Sequence, residues 1–272
     1  MQIACLQTSP QPDFQTALDQ AISLAEEAAT SGAEFIATPE YCGGLKTEGA
    51  SFAPPSAPEA SHPVLNGLRT FAKDRSKFVL IGSVAIDGPD NKILNRSYLI
   101  GEEGNIVSRY DKIHLFDINL SEQQSYRESA TVRGGDEATI CQTSFAKIAQ
   151  TVCYDLRFPH LYRELSQSGA EILLVPAAFT KKTGEAHWHI LNRARAIENG
   201  AFVVAPCAIG EVAGGGESYG HSLINPWGEV LADGGDQVGV VSAVINLNEV
   251  ATARQRIPSL SHDRSFVLRK KL

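Results

Sequence analysis

The sequence has no paired-cysteine spacing, no long apolar run and no excess of positive charge, and each absence removes a class of protein. Its five cysteines are an odd number and none stands in a C-x-x-C arrangement. That argues against a disulfide framework and for a reducing compartment. Cys5 and Cys207 lie inside apolar, strand-like runs and read as core thiols. No stretch approaches the roughly 18 apolar residues of a membrane span, and Met1-Gln2-Ile3-Ala4-Cys5-Leu6 has no basic region followed by a long apolar one. A net charge of −7 and a pI near 5.5 disfavour nucleic acid or an anionic membrane as the main partner. An anionic substrate stays compatible with this balance, because a local pocket can oppose the global sign. The expectation is a soluble, cytoplasmic protein.

Linker-like Gly/Ser or Pro runs and low-complexity segments are missing too. Gly214-Gly215-Gly216 lacks the Lys-Ser/Thr ending of a phosphate loop and reads as a flexible turn. His187 and His189 are two apart on a predicted helix, so they point to different faces and make a poor metal pair. No cofactor or metal is expected.

What is present is an α/β pattern over 272 residues, 43% of them apolar, enough for a substantial core. Strands are predicted at Ile3–Gln7, Glu34–Thr38, Phe78–Ile86, Ile93–Ile100 and Ile106–Tyr110. Asp13 is the expected N-cap of a helix with Phe14, Leu18, Ala21, Ile22, Ala25 and Ala28 on one face, closed by Gly32. Ser61 and Pro63 open a second helix carrying Val64, Leu65, Leu68, Phe71 and Ala72. After a long irregular stretch the order recurs. A strand over 147–152 is followed by a helix from Pro159 to Gly169, a strand at Ile172–Val175 and a helix near Ala186–Gly200. That last helix presents Ile190, Leu191, Ala194 and Ile197, with Arg193, Arg195 and Glu198 on a solvated or interface face. Strands at Phe202–Ala208, His221–Asn225 and Val238–Leu247 complete the repeat. Two similar halves packed as one sandwich, a single domain over 1–272, are expected, with a C-terminal tail from about residue 251 that packs on a partner.

Cys153 stands where the 147–152 strand delivers its chain into Tyr154-Asp155-Leu156-Arg157-Phe158-Pro159. A thiol at the carboxyl end of a strand, ahead of a helix, is well placed for a nucleophile, although free cysteine is also commonly a buried structural group. Glu40 follows a strand in Thr38-Pro39-Glu40-Tyr41. Lys112 follows another in Tyr110-Asp111-Lys112-Ile113-His114, and Glu128 lies in Tyr126-Arg127-Glu128-Ser129. Singly, each reads first as a solvated loop charge. Cys42, two residues past Glu40, is the rival thiol.

The segments around Glu40, Lys112 and Cys153 resemble the Glu–Lys–Cys triad of the nitrilase superfamily, the carbon–nitrogen hydrolases, and Glu128 resembles that family's second glutamate. Ala178-Phe179-Thr180, Thr183-Gly184, Ala186-His187-Trp188, Arg193-Ala194-Arg195-Ala196-Ile197-Glu198, Tyr219-Gly220-His221-Ser222 and Pro226-Trp227-Gly228 are similar to the branch with deaminated-glutathione amidases and ω-amidases. Asn225, where an aspartate often precedes Pro-Trp-Gly, and Asn119–Tyr126, which lacks a Pro/Gly-rich sequence, depart from that pattern.

The resemblance implies an α-β-β-α sandwich, a homodimer or higher homo-oligomer, and a cofactor-independent amidase acting on a small carboxylate-bearing molecule. Cys153 as thiolate would form a thioester, with Lys112 and a helix start favouring the thiolate. Glu40 would be the general base, and Lys112 with the Tyr154 N–H would bind the oxyanion. Glu128 would fix Lys112 or the attacking water. Arg157, Phe179, Thr180 and Thr183 would face the substrate's carboxylate end; for Arg157 a structural ion pair, and for Thr183 a helix cap, remain alternatives. Deaminated glutathione is the favoured substrate, ahead of α-keto acid amides and N-carbamoyl amino acids, with a nitrile last. A non-catalytic binding member of the family is the alternative of a different class.

Overall fold

The computed structural model describes residues 1–119, 125–221, 223–225 and 227–270, the side chains of 223–225 excepted. The expectations for Ser222 and Pro226, and for most of the Asn119–Tyr126 segment, lie outside the described residues. The first half runs β1 (Gln2–Gln7), α1 (Phe14–Thr30), β2 (Phe35–Ala37), α2 (Pro63–Arg75), β3 (Phe78–Asp87), β4 (Ile93–Ile100) and β5 (Ile106–Asp111). The second runs β6 (Thr139–Gln142), β7 (Lys147–Gln150), α3 (Pro159–Gln167), β8 (Ile172–Leu174), α4 (Lys181–Asn199) and β9 (Phe202–Ala205). It continues through β10 (Ile209–Glu211), β11 (Glu217–Tyr219), β12 (Leu223–Asn225), β13 (Ala232–Asp233), β14 (Gly239–Val244) and α5 (Asn248–Arg256).

Each half builds a parallel trio. β1, β2 and β3 pair in parallel through α1 and α2, then β4 and β5 return antiparallel. β7, β8 and β9 do the same through α3 and α4, with β12 and β13 returning antiparallel. β14 crosses back to pair with β1, tying the end of the second half to the first sheet.

The period of two along each strand then sorts the side chains into layers. Ile3, Cys5, Phe35, Ala37, Leu80 and Leu99 of the first sheet meet Ile148, Ile172, Leu174, Phe202 and Val204 of the second in one apolar layer. Their neighbours Ala4, Leu6, Ile36 and Val79 turn the other way, onto Leu24, Ala25, Leu65 and Leu68 of α1 and α2. Ala149, Leu173 and Val203 turn onto Leu161, Leu165, Trp188 and Ala196 of α3 and α4. The result is the expected α-β-β-α sandwich of two similar halves. Each fully buried Leu, Ile or Phe in these layers contributes about 1.5–3 kcal/mol relative to exposure.

Local differences from the sequence reading have physical causes. His62, not Ser61, caps α2, its Nδ1 accepting from the Leu65 N–H. Two strands stop early because their ends are needed elsewhere. β2 ends at Ala37, ahead of Thr38-Pro39, where proline offers no N–H. β7 ends at Gln150, and the Val152 N–H goes to the Asp155 carboxylate at 2.9 Å.

α4 begins at Lys181, five residues before the predicted start, and its buried stripe is different too. Thr183, Gly184, Trp188, Asn192, Arg195, Ala196 and Asn199 face inward, whereas Ile190 and Ile197 are exposed. Gly184 is needed there because a Cβ would overlap the Tyr219 ring at 2.2 Å. The segment expected to be a featureless tail starts inside α5, whose Val250 and Ala253 are buried and whose Arg254 donates to the Asn199 carbonyl at 3.1 Å. Beyond it, Arg163 of α3 donates to Asp263, and Phe266, Val267 and Leu268 stand exposed. Among the described residues no helix is long and apolar enough to cross a membrane.

Candidate active site

Glu40 and Cys153 each stand three residues past the end of a parallel strand, β2 and β7. Both sit at a backbone turn through the left-handed region, with Tyr41 at φ 53° and Cys153 at φ 49°. Such conformations cost a non-glycine residue about 1–3 kcal/mol and persist only where surroundings hold them. For Cys153 the surroundings are specific. Its own N–H donates to the Pro176 carbonyl at 2.9 Å, Asp155 accepts from Val152, and Arg195 donates through Nε and Nη2 to the Leu156 carbonyl at 3.0 and 2.8 Å. At Glu40 the turn needs Gly82, since a Cβ there would lie 2.1 Å from the Thr38 carbonyl oxygen.

These turns bring four predicted residues together. Lys112 follows β5, and its ammonium donates to Glu40 Oε1 at 2.9 Å and to Glu128 Oε2 and Oε1 at 2.8 and 3.1 Å. The Cys153 thiol stands near Glu40, whose charge acts on it. All four side chains are buried. Glu40 Oε2 also accepts from the Ala178 N–H at 2.9 Å, and Asn95 donates to Glu40 and Glu128 at 2.9 and 3.1 Å. Glu128 Oε2 accepts from the Phe116 N–H at 2.6 Å, and Oε1 accepts from the Tyr41 hydroxyl at 3.3 Å. An aromatic wall covers this cluster. Phe52 stacks on Tyr41 and Tyr126, and Phe116 lies 5.2 Å from both Tyr126 and Tyr154.

The electrostatics follow from two carboxylates and one ammonium in a buried space. Burial disfavours the Lys112 ammonium, but Glu128 and Glu40 outweigh it and hold its pKa above the ordinary lysine value. Burial and the Glu40 charge push the Cys153 thiol well above its ordinary value, with Lys112 opposing them. Lys112 thus favours the thiolate as expected, but burial and Glu40 act against it more strongly. Cys42 is a different case, its thiol donating to the Ser83 carbonyl and pushed up to about 11 by burial.

The remaining predicted residues form a rim. Arg157 lies over the Tyr154 ring at 5.9 Å and the Phe179 ring at 5.2 Å, and both Nη atoms are 3.3 Å from His187 Nδ1. Among the described residues it makes no ion pair within 4.0 Å, so the structural ion pair weighed for it is not found there. Thr180 is the residue ahead of α4, and Thr183 lies within its first turn rather than capping it, the two hydroxyls 2.7 Å apart. The Tyr154 N–H opens the short helix Cys153–Arg157, where the first amides have no partner within the helix.

Sequence reasoning missed Asn95, Tyr41, Asp155 and Arg195. Asp155 is fully buried and accepts four bonds: from the Val152 N–H, the Tyr110 hydroxyl (2.7 Å), the His114 N–H (3.0 Å) and His114 Nδ1 (2.7 Å). It thereby ties the residue before Cys153 to the segment after Lys112. Arg195 was expected on a solvated or interface face; it is 4% exposed. A polar residue at an inward strand position, as Asn95 is in β4, was the available signal. Away from the site, His189, His221 and Asp233 hold donor atoms within 4.8 Å of one another, but each Asp233 oxygen is engaged by an imidazole, at 2.8 and 2.9 Å.

The chain matches the carbon-nitrogen hydrolase family over residues 2–255. It is 38% identical to a deaminated glutathione amidase of Synechocystis over 269 residues, 97% of this chain and 98% of that one. It is 34% identical to the human omega-amidase NIT2 over 247 residues, 90% of this chain and 88% of that protein. The crystal structure of the C. elegans NitFhit protein superposes with a TM-score of 0.87 at 29% identity, over 97% of this chain. This chain spans 65% of that protein's length. With these matches and the α-β-β-α sandwich of the nitrilase superfamily, the chain belongs to the carbon-nitrogen hydrolase family and is an amidase-type hydrolase.

Proposed function

We propose that this amidase cleaves the amide of deaminated glutathione through a thioester on Cys153. The observation that supports this most directly is the buried Lys112 ammonium bracketed by Glu40 and Glu128, with the Cys153 thiol close enough to Glu40 to be raised by its charge. Glu40 takes the thiol proton as sulfur attacks the substrate carbonyl carbon, so the site's net charge is unchanged by making the nucleophile. The carbonyl electrons move onto oxygen, which receives an N–H from Lys112 and the N–H of Tyr154. Lys112 has three N–H donors, of which Glu40 engages one and the two Glu128 oxygens share another. A donor of this kind is worth about 3–4 kcal/mol of barrier. The C–N bond then breaks, Glu40 returns its proton to the departing amine, and the acyl group stays on sulfur. Water attacks the thioester as Glu40 takes its proton; the carbon–sulfur bond breaks and the proton passes back to the thiol. Glu128 and Asn95 hold Lys112 and Glu40 in place.

Arg157 receives the carboxylate of the keto-acid half, its guanidinium flanked by Tyr154 and Phe179 and without an ion pair among the described residues. Phe179, Thr180 and Thr183 shape that end. In this reading the chain is one domain working in the cytoplasm, and exposed Phe266, Val267 and Leu268 cover a second copy in a homodimer.

Comparing kcat/KM for deaminated glutathione, α-ketoglutaramate and an N-carbamoyl amino acid tests the reading. Deaminated glutathione is expected to rank first. α-Ketoglutaramate ahead by more than tenfold would make the chain an ω-amidase instead, the second reading that the 34% identity to omega-amidase NIT2 favours. Turnover of none of them would return the non-catalytic alternative.

A further inference from the structure

A cleft of about 680 Å³ opens between the first turn of α4 and the β10–β11 hairpin. Its volume is in the range of small-molecule sites, roughly 300–1,000 Å³. Lys181, Lys182 and Glu185 line one wall, and Glu211 and Glu217 line the other. On the helix, Thr183 and His187 sit one turn apart on the Arg157 side, so this second wall is turned away from the keto-acid end. The cleft meets the candidate active site through Tyr126 and Thr180. Tyr126 packs on Phe116, whose N–H binds Glu128 and whose ring faces Tyr154. Thr180 follows Phe179, the ring under Arg157.

The hairpin wall also gives the Gly214-Gly215-Gly216 run a role. Gly214 packs where a Cβ would lie 1.8 Å from the Thr47 carbonyl oxygen, and Gly215 leaves open space where a side chain would project. All three have positive φ, so the wall stays bare.

Ammonia, about the size of a water molecule at roughly 30 Å³, needs no such volume. A dipeptide leaving group does. Cleavage of deaminated glutathione releases a dipeptide bearing a new amine and a terminal carboxylate. Lys181 is held by Glu217 at 2.8 Å, but among the described residues Lys182 has no carboxylate within 4.0 Å, which leaves its ammonium uncommitted on the wall. Two extended residues span about 7 Å, and the lysine stem adds its own reach. We infer that this cleft binds the peptide half of the substrate and that Lys182 receives its terminal carboxylate. The inference rests on deaminated glutathione being the substrate, and it makes Lys182 a residue that separates peptide-bearing amides from primary amides.

The test is a cycle of enzyme and substrate changes. Lys182→Glu is expected to lower the ratio of kcat/KM for deaminated glutathione over α-ketoglutaramate about five- to tenfold, as reversal of a partly exposed pair does. Deaminated glutathione with its terminal carboxylate capped as an amide is expected to lose that sensitivity. The assignment is overturned if wild type hydrolyses deaminated glutathione yet the ratio does not move, or if the capped substrate responds as strongly as the acid. If wild type hydrolyses α-ketoglutaramate but not deaminated glutathione, the substrate reading itself fails and takes this assignment with it.

Discussion

Asp155→Asn probes how the nucleophile is held. The substitution keeps shape and removes one acceptor oxygen from a fully buried carboxylate. If the retained oxygen keeps the two His114 bonds, the new amide faces the Val152 N–H and the Tyr110 hydroxyl. The tyrosine hydroxyl can turn and accept, but the Val152 N–H cannot. One charged-acceptor hydrogen bond is lost and one buried donor is orphaned, together about 2–4 kcal/mol. For a chain of this size that lowers Tm by about 4–7 °C. Val152 immediately precedes Cys153, whose φ of 49° depends on its surroundings. A shift of the thiol by about 1 Å costs on the order of a hundredfold. We therefore expect kcat to fall about a hundredfold with KM changing little, measured by product release alongside thermal unfolding. Tyr110→Phe, which removes the bond to Asp155 and the long one accepted from the Ile113 N–H but leaves the Val152 bond intact, should cost kcat far less. A Tm loss of the stated size with kcat intact would refute the claim that Asp155 positions the nucleophile.

Two further perturbations have signs set by the charges. Glu40→Gln removes the charge that, after burial, most raises the Cys153 thiol, so the thiolate fraction at pH 8 rises. Alkylation by iodoacetamide should therefore quicken while amide hydrolysis falls by about 10²–10⁴; slowing of both together would contradict the base assignment. Burial lowers His62 from 6.5 to about 4, so between those values the unfolded chain binds more protons and stability falls as pH drops. The loss amounts to about 3 kcal/mol across the window. His62→Asn keeps a side-chain cap for α2 and should remove this part of the acid slope in denaturation curves; parallel slopes would count against it.

Much of the architecture was legible because it depends on local apolar pattern and on caps. β1 is a short continuous apolar run, Ile3-Ala4-Cys5-Leu6, as a strand buried on both faces should be, and α1 carries both its cap at Asp13 and its stop at Gly32. α4 misled because its inward face is built from Gly184, Asn192, Arg195 and Asn199, chosen for close approach to Tyr219 and for hydrogen bonds. Its most hydrophobic residues, Ile190 and Ile197, stay outside. Glu40, Lys112, Glu128 and Cys153 could be picked out by their settings at strand ends and by family resemblance. Their supports could not, since Asn95 and Asp155 matter through what folding brings to them: two carboxylates for one, and Val152, Tyr110 and His114 for the other. The resting state of the thiol likewise depends on burial and on Glu40, 113 positions away along the chain.

The central claim is that Cys153 carries the acyl group. Rapid quenching of wild-type protein with deaminated glutathione in acid, followed by intact and peptide mass measurement, tests it most directly. The account predicts one added acyl group, located on the peptide containing Cys153, absent from Cys153→Ala and still present in Cys42→Ser. Continued amide hydrolysis by folded Cys153→Ala, or an acyl group found on Cys42 instead, would contradict it.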